Sequence, residues 1–247
     1  MKGFAARVPR AARRASIPFD TRVAGRAAAL AAVAVCAVAA AGAQPAARAN
    51  APVDLTGYWV SVVTEDWLWR MRTPPKGDYA SVPLNDAGRS VADQWDPATD
   101  DGTCRPFGAP ALLRMPTRVR IDWQDDATLR LETDNGMQTR LLHFAEPPAA
   151  TAPSRQGVSR ARWDGTTLTV TTTELLPGYL RRNGVPYSAD TVLTEQFIRH
   201  ESFGDGWLTV TTIVHDPVYL TEDFVTSSSF KRLQGATGWL PAPCEER

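Results

Sequence analysis

Proton-transfer chemistry needs a basic imidazole, a carboxylate that orients it and a donor for developing negative charge. The stretch "HDPVY" places His215 beside Asp216, with Tyr219 three residues beyond the aspartate. Glu195 lies in "VLTEQF" between two large apolar neighbours on the same strand face, where burial would raise the pKa of its carboxyl group. The sequence therefore nominates Glu195, His215, Asp216 and Tyr219 as a catalytic set.

A single hairpin would bring this set together. If residues 191–214 turn near residue 205, antiparallel partners sum to about 410 and Glu195 lies opposite residue 215. Arg140 or Glu132 is then expected on the other side of the site. There are two non-catalytic alternatives. "HDPVY" would be an Asp-Pro turn, and Glu195 would be the partner of a buried arginine.

Three tryptophans in "GYWVSVVTEDWLWRM", residues 57–71, are candidate ligand contacts. Trp59 is expected to seal one end of a barrel. Trp67 and Trp69 are spaced to share one side of an extended chain, which would make an apolar rim for a flat hydrophobic or aromatic ligand. Core packing of both side chains under a lid is the alternative.

Charged residues alternate with apolar ones in residues 118–140. They form either a solvated face of cross-strand ion pairs or the lining of a polar cavity. In the second case Glu132 and Arg140 are candidate contacts for the polar head group of a ligand. The charged positions are Arg118, Arg120, Asp122, Arg130, Glu132 and Arg140.

Common catalytic and cofactor signatures do not occur in the chain. It has no Gly-x-Ser-x-Gly, no phosphate-binding glycine loop, no dinucleotide fingerprint and no His-Glu-x-x-His. The three histidines, His143, His200 and His215, have no spacing that requires a metal. We therefore expect no metal and no cofactor, and any enzyme here would be a cofactor-independent isomerase, cyclase, lyase or hydrolase.

Short alternating runs separated by turn residues predict the elements that position these side chains. Residues 118–144 indicate a three-stranded meander, and two further hairpins turn at Asp164-Gly165 and around Gly204-Asp205-Gly206. With a first strand at 58–64 and a last at 227–233, the pattern predicts an all-β, antiparallel up-and-down barrel of eight or nine strands. An open two-sheet sandwich is the alternative. One short helix, capped by Asn85, is expected in the long loop after the first strand.

The first 49 residues have the pattern of an export signal. Basic residues precede an Ala/Val run at 27–43, and small-x-small cleavage patterns end at residues 43 and 49. We expect cleavage near Gln44 or Asn50, export to the periplasm, and one barrel domain over residues 50–247 without a membrane span. A lipid anchor at Cys36 is the lesser alternative, because Val35 is branched where that signal has a small residue.

Removal of residues 1–49 makes the chain acidic. They contain eight of the 27 Lys and Arg and one of the 27 Asp and Glu, which leaves 19 basic and 26 acidic residues and a net charge of −7. Such a chain is repelled by phosphate backbones, so we expect no nucleic-acid partner. The two remaining cysteines, Cys104 and Cys244, are expected to form a disulfide in an oxidising compartment, with two unrelated thiols as the alternative. The oligomeric state is left open.

Two resemblances support this interpretation. "LTGYW" resembles the Gly-x-Trp start of lipocalins, in which the tryptophan closes one end of the barrel. Most of residues 54–247 resembles a large group of exported bacterial proteins without an assigned activity, in "PLNDAGR", "WDPATDDGTCRPFGAPALLRMP", "ARWDGTTLTVTTTEL", "GVPYSADTVLTEQF", "TIVHDPVYLTEDF" and the terminal "CEER". The chain departs from that group at Gln196, where the group has arginine, and at Asp164, where it has glutamate. The resemblance implies export, a calycin-type barrel and a paired Cys104 and Cys244. The sequence thus predicts an exported barrel that binds a small hydrophobic or aromatic molecule in its cavity, with a cofactor-independent enzyme and an envelope structural or interaction module as the alternatives.

Overall fold

A computed structural model describes residues 46–98, 103–149 and 152–244. Most of the predicted export signal, residues 1–45, lies outside the described residues. Strands form where β-branched and apolar residues alternate with polar ones, because that period matches the pleat. They are β1 (Gly57–Val62), β2 (Arg118–Trp123), β3 (Thr128–Thr133), β4 (Asn135–Gly136), β5 (Thr139–His143), β6 (Val158–Asp164), β7 (Thr167–Thr173), β8 (Gly178–Arg181), β9 (Val185–Tyr187), β10 (Val192–Ser202), β11 (Asp205–His215), β12 (Phe224–Leu233) and β13 (Ala242–Pro243).

Three short α-helices and one 3₁₀ turn lie in the loops: α1 (Trp67–Met71), α2 (Asp86–Ala92), α3 (Ala109–Leu112) and η1 (Arg105–Phe107). The predicted helix is α2, and its cap is confirmed: the Asn85 side chain accepts a hydrogen bond from the backbone N–H of Gly88 at 2.9 Å. The sequence analysis expected one helix and missed α1 and α3. Among the described residues, no helix has the length and apolar character needed to cross a membrane.

Nine strands close into a barrel in the order β1-β12-β11-β10-β7-β6-β5-β3-β2. The predicted all-β barrel is confirmed, and the alternative of an open sandwich is excluded. Strands that alternate in direction cannot close a ring of odd number, so one neighbouring pair must be parallel. That pair is β5 and β6, joined by only two rungs, Leu142↔Ser159 and His143↔Arg160. The barrel is therefore antiparallel except at this seam.

Two large apolar clusters lie among the described residues, besides a small one around Phe107. One occupies the barrel interior around Trp59, Leu131, Phe197 and Phe230, which are at most 1% exposed. A barrel of about eight or nine strands is just wide enough for such side chains to fill. The other cluster lies at one end of the barrel, where α2, β8 and β9 pack over Leu193 of β10. We call the elements that cover this end, α2, η1, α3, β8 and β9, the loop layer. They form an ordered lid over the barrel.

The C-terminus is fastened to the loop layer. Strand β13 pairs with β4 in parallel, and the backbone N–H of Ala242 donates to the carbonyl of Asp134 at 2.9 Å. Cys104 and Cys244 lie at disulfide-bonding distance, with Cα atoms 5.7 Å apart, and pack against a small cluster that contains Phe107. This contact joins the loop after α2 to the C-terminus, as the sequence predicted.

Candidate functional site

An ion pair lies inside the barrel. Arg140 donates to both carboxylate oxygens of Glu195, from Nη1 to Oε1 at 3.0 Å and from Nη2 to Oε2 at 2.6 Å. Nη2 also contacts Thr172 Oγ1 at 3.2 Å and Ser159 Oγ at 3.4 Å, and these two hydroxyls are 2.7 Å apart. All four side chains are buried. The arrangement corresponds to the alternative in which Glu195 is the partner of a buried arginine.

The structure does not bring Glu195 to His215. Glu195 lies opposite Thr212, and His215 lies opposite Val192, because the β10–β11 partners sum to 407 rather than to about 410. The cause is the turn: Ser202 pairs with Asp205, so Phe203 and Gly204 alone form the loop, at φ angles of 54° and 79°. The expected turn at residues 204–206 was therefore wrong by about one and a half residues.

The other members of the proposed catalytic set have separate contacts. His215 is exposed, and its Nδ1 lies 2.8 Å from Asp223 Oδ1. Asp216 is buried: its Oδ1 accepts from the backbone N–H groups of Val218 and Tyr219, at 2.8 and 2.9 Å. Its Oδ2 accepts from the Ser188 N–H and, at 2.7 Å, from the Thr191 hydroxyl. Asp216 thus joins the turn of Tyr219 to the end of β9.

The predicted ligand tryptophans are dispersed. Trp59 is fully buried; its Nε1 donates to the Leu55 carbonyl at 3.0 Å, and the guanidinium of Arg232 lies 5.5 Å from its ring centroid, so it is core rather than an open wall. Trp67 and Trp69 do not share a side, because residues two apart on a helix lie about 200° apart and α1 is helical. Trp67 is 57% exposed, whereas Trp69 Nε1 donates to Asp78 at 2.9 Å.

Glu132 and Arg140 lie on opposite faces of the barrel wall. Glu132 is on the outer face, 3.3 Å from Arg120 and 4.0 Å from Arg130. Arg140 is opposite the buried Leu131, so it points inward. The irregular turn after β3, with Gly136 and Met137 at positive φ, reverses the alternation that the sequence analysis carried through to residue 140. The two side chains therefore cannot contact one ligand group.

A cavity of about 310 Å³ lies in the loop layer, between the β8–β9 hairpin, α2 and η1. Its walls are three tyrosines, two prolines, a valine and a glycine, with two arginines at its edge. They are Val91, Arg105, Arg155, Pro177, Gly178, Tyr179, Pro186, Tyr187 and Tyr219. The volume is at the lower end of the range for small-molecule pockets, roughly 300–1,000 Å³.

Tyr187 is the most buried wall of this cavity. Its ring is fully buried, and its hydroxyl makes no hydrogen bond within the described residues. Gly108 and Gly178 admit the hydroxyl, since a Cβ at either position would lie 2.0 and 2.5 Å from it. Burial raises the pKa of Tyr187 to about 12, and the charge of Arg155 and its interaction with the hydroxyl act in the opposite direction. The hydroxyl therefore stays protonated near neutral pH, and it is buried against Gly108 and Gly178 rather than exposed to the cavity.

Two arginines supply positive charge to the same cavity. Arg105 Nη1 donates to the Tyr179 hydroxyl at 3.0 Å, and its guanidinium lies 5.6 Å from the ring centroid. Arg155 donates to the backbone carbonyls of Thr103, at 2.9 Å, and of Pro177. Within the described residues Arg155 makes no ion pair, so the charge of its half-buried guanidinium is not neutralised by a carboxylate.

Sequence reasoning found only Tyr219 among these residues. The missed part is the β8–β9 hairpin, and the signal for it was present. Asn183-Gly184 lies between "PGYL" and "VPY", and an Asn-Gly pair between two short apolar runs is a strong predictor of a tight hairpin. That hairpin supplies Tyr179 and Tyr187.

Neither a metal site nor a match to a known protein identifies the function of this cavity. Within the described ranges, no group of three or more His, Cys, Asp or Glu side chains could hold a metal ion. No family model, curated protein or solved structure matches the chain. The lipocalin resemblance therefore rests on the closed barrel and on Trp59, and function must be argued from the cavity itself.

Proposed function

We propose that this chain is an exported, periplasmic barrel protein that binds a small aromatic molecule carrying an anionic group, in the loop-layer cavity. The observation that carries the proposal is Arg155, a cation without a carboxylate partner in the described residues, at the edge of a tyrosine-lined cavity. The sequence analysis expected the ligand inside the barrel. Large side chains occupy that interior, so we place the proposed ligand site in the loop layer instead.

The lining fits the two parts of such a ligand. Tyrosine rings and proline faces offer flat apolar contact for an aromatic body. The guanidinium of Arg155 offers donors for a carboxylate or phosphate. In a chain whose predicted mature part has a net charge of −7, a positive cavity wall also gives a local attraction for anions.

Calorimetric titration with benzoate and phenyl phosphate, each compared with neutral benzamide, tests the charge requirement. A charge-assisted hydrogen bond contributes about 1.5–3 kcal/mol, so we expect the anions to bind at least about 10-fold more tightly than benzamide. Arg155→Met should remove this preference. Arg162→Met, an exposed arginine on the outer face of β6, is the matched control and should retain it.

A second pair of variants tests the location. Val91 lies on the exposed side of α2 and lines the cavity, so Val91→Trp should fill the cavity at little cost in stability and abolish binding, whereas Val91→Ala should retain it. Binding that survives Val91→Trp unchanged would place the ligand elsewhere. Equal affinity for benzoate and benzamide would refute the anionic requirement.

The rival predictions from the sequence have less support. A cofactor-independent enzyme needs a free acid and base in one cavity, but Glu195 is bonded to Arg140 and His215 lies exposed beside Asp223. An envelope interaction module would not require a cavity edged by an unpaired arginine. The binding proposal accounts for that arginine directly.

A further inference from the structure

A second cluster of arginines lies on the far side of η1 from the tyrosine cavity. Arg70 of α1, Arg114 after α3 and Arg181 of β8 are 2%, 6% and 4% exposed. Only two carboxylates form ion pairs with them in the described residues. Glu65 lies 2.9 Å from Arg70, and Asp66 lies 3.0 Å from Arg114. A third carboxylate, Asp78, acts on Arg181 electrostatically but forms no ion pair with it among the described residues.

The unpaired member is Arg181. None of its three guanidinium nitrogens makes a hydrogen bond among the described residues, and Arg70 Nη2 also lacks a partner. The Arg181 guanidinium lies 5.1 Å from the ring centroid of Trp69 and 6.0 Å from that of Phe224. Cation–π contacts of this kind attract the guanidinium, but they offset less than the cost of burying it without acceptors.

Arg181 remains charged at neutral pH. Burial lowers its pKa to about 10, and the neighbouring charge of Arg114 acts in the same direction, whereas Asp66 and Asp78 act in the opposite direction. Arg181 is therefore a protonated donor whose three nitrogens have no acceptor among the described residues.

The space beside these side chains is small. A cavity of about 20 Å³ is lined by Arg70, Arg114, Arg181, Arg182, Trp69 and Met115, among others. One water-sized occupant needs roughly 10–15 Å³, so the cavity admits a single small species and excludes an aromatic ligand. Four arginines line the cavity and the carboxylates that act on them are those of Glu65, Asp66 and Asp78, so an anion, unlike water, would also balance the remaining positive charge.

We propose that Arg70, Arg114 and Arg181 form a buried site for a single halide ion, chloride under ordinary conditions, which joins α1, α3 and β8. The ion would accept hydrogen bonds from the unpartnered nitrogens of Arg181 and from Arg70 Nη2, and it would balance the positive charge that remains in the cluster. The site is separate from the tyrosine cavity, and its occupancy does not depend on the proposed ligand.

Thermal unfolding at constant pH and ionic strength tests the proposal, with sodium chloride exchanged for sodium gluconate, whose anion is too large for the cavity. We expect Tm to rise with chloride and to saturate, by about 5–10 °C at 100 times the Kd. Arg181→Met keeps the length of the side chain without its charge, and it should abolish this dependence. Arg162→Met on the outer face of β6 should preserve it.

Crystals of the wild-type protein grown in bromide give an independent measurement. We expect an anomalous peak within hydrogen-bonding distance of the Arg181 guanidinium. The proposal is overturned if that position holds water without an anomalous signal, or if chloride and gluconate give the same Tm. A chloride dependence of Tm that is unchanged in Arg181→Met would also overturn the proposal. If that variant does not fold, the presence or absence of the bromide peak in the wild-type crystals tests the proposal by itself.

Discussion

Arg140 and Glu195 are bonded to each other at two points in an environment that water does not reach. Removal of such charges from water is costly, and the bidentate contact repays that cost only while both partners are present. Loss of either partner leaves a buried charge, whereas loss of both leaves an apolar interior. The two charges therefore depend on each other, and removal of one should destabilise the barrel more than removal of both.

Single variants of this pair should be much less stable than the double variant. We expect Glu195→Gln or Arg140→Met to lower the free energy of unfolding by about 3–5 kcal/mol, and Arg140→Met with Glu195→Leu to recover most of that loss. Urea denaturation of the three variants measures the difference. Additive effects would contradict the interpretation, since they would mean that the two side chains act independently.

Asp216 is another buried charged residue, and its hydrogen bonds hold the turn of Tyr219 against the end of β9. Burial by itself would raise the pKa of its carboxyl group, but four hydrogen bonds from Ser188, Thr191, Tyr219 and Val218 outweigh it and the pKa lies below the ordinary value of 3.8. A depressed pKa in the folded state gives stability that is present above the unfolded-state pKa. That stability is lost as pH falls through the folded-state pKa.

Asp216→Asn should therefore lower stability at neutral pH and have less effect in acid. Two donors lose their acceptor, at a cost of about 1–3 kcal/mol. Chemical denaturation at pH 7 and at about pH 3 should show the gap between variant and wild type shrink at the lower pH. A gap of equal size at both would mean that the carboxylate charge is unimportant.

At the scale of elements, the β10–β11 hairpin contains a local conflict. Phe203 takes a left-handed φ of 54° and is 101% exposed, at a turn position that favours Asn. The register of both strands is fixed by pairing along 11 residues, and this pairing overrides the preference of one residue.

Phe203→Asn should stabilise the protein by up to about 1 kcal/mol, because asparagine tolerates positive φ and the hairpin turn then becomes Asn-Gly. Phe203→Val, which also removes the exposed ring, should destabilise it, because a β-branched residue is strained there. The order of urea midpoints, Asn above wild type above Val, is the expected outcome. A reversed order would indicate that the exposed ring has contacts that the turn geometry does not reveal.

The sequence predicted the strands well because a period of two and short turns are local properties. It predicted the partners of side chains poorly. One residue of error at Phe203, or one irregular turn after β3, changes which groups face each other over a whole strand. Glu195 was thus correctly identified as unusual and given the wrong neighbour, and Arg140 was assigned to the wrong face. Trp69 was read in an extended stretch that is in fact helical.

At the scale of the whole molecule, Cys104 and Cys244 connect the loop layer to the last strand. A disulfide between them closes a loop of 140 residues and should stabilise the fold by about 3–5 kcal/mol in the chain-entropy model. Non-reducing peptide mapping should recover the two cysteines in one cross-linked peptide. Cys104→Ser with Cys244→Ser should lower the unfolding free energy by that amount, and two free thiols in the exported protein would contradict the prediction.

The export proposal predicts where the mature chain starts. The backbone N–H of Arg48 donates to the carbonyl of Asp126 in the β2–β3 turn at 3.0 Å, and Asn50 bonds the carbonyl of Ala46. Cleavage after Ala43 keeps both contacts, so we expect Gln44 rather than Asn50 to be the first residue. N-terminal sequencing of the periplasmic protein checks this, and an intact Met1 would refute export with cleavage.

If the chain is exported as proposed, the pairing of β1 with β12 sets the order of events while it crosses a membrane from its N-terminus. Strand β1 ends at residue 62 and must wait for a partner that begins at residue 224. The meander of β2, β3 and β5 forms locally, but the ring itself cannot close until almost the entire chain has emerged. Until then the first and last strands present unpaired edges, which are open to wrong partners. The chain would therefore need protection from aggregation during passage, and the pairing of β12 with β1 would end the exposure of both edges.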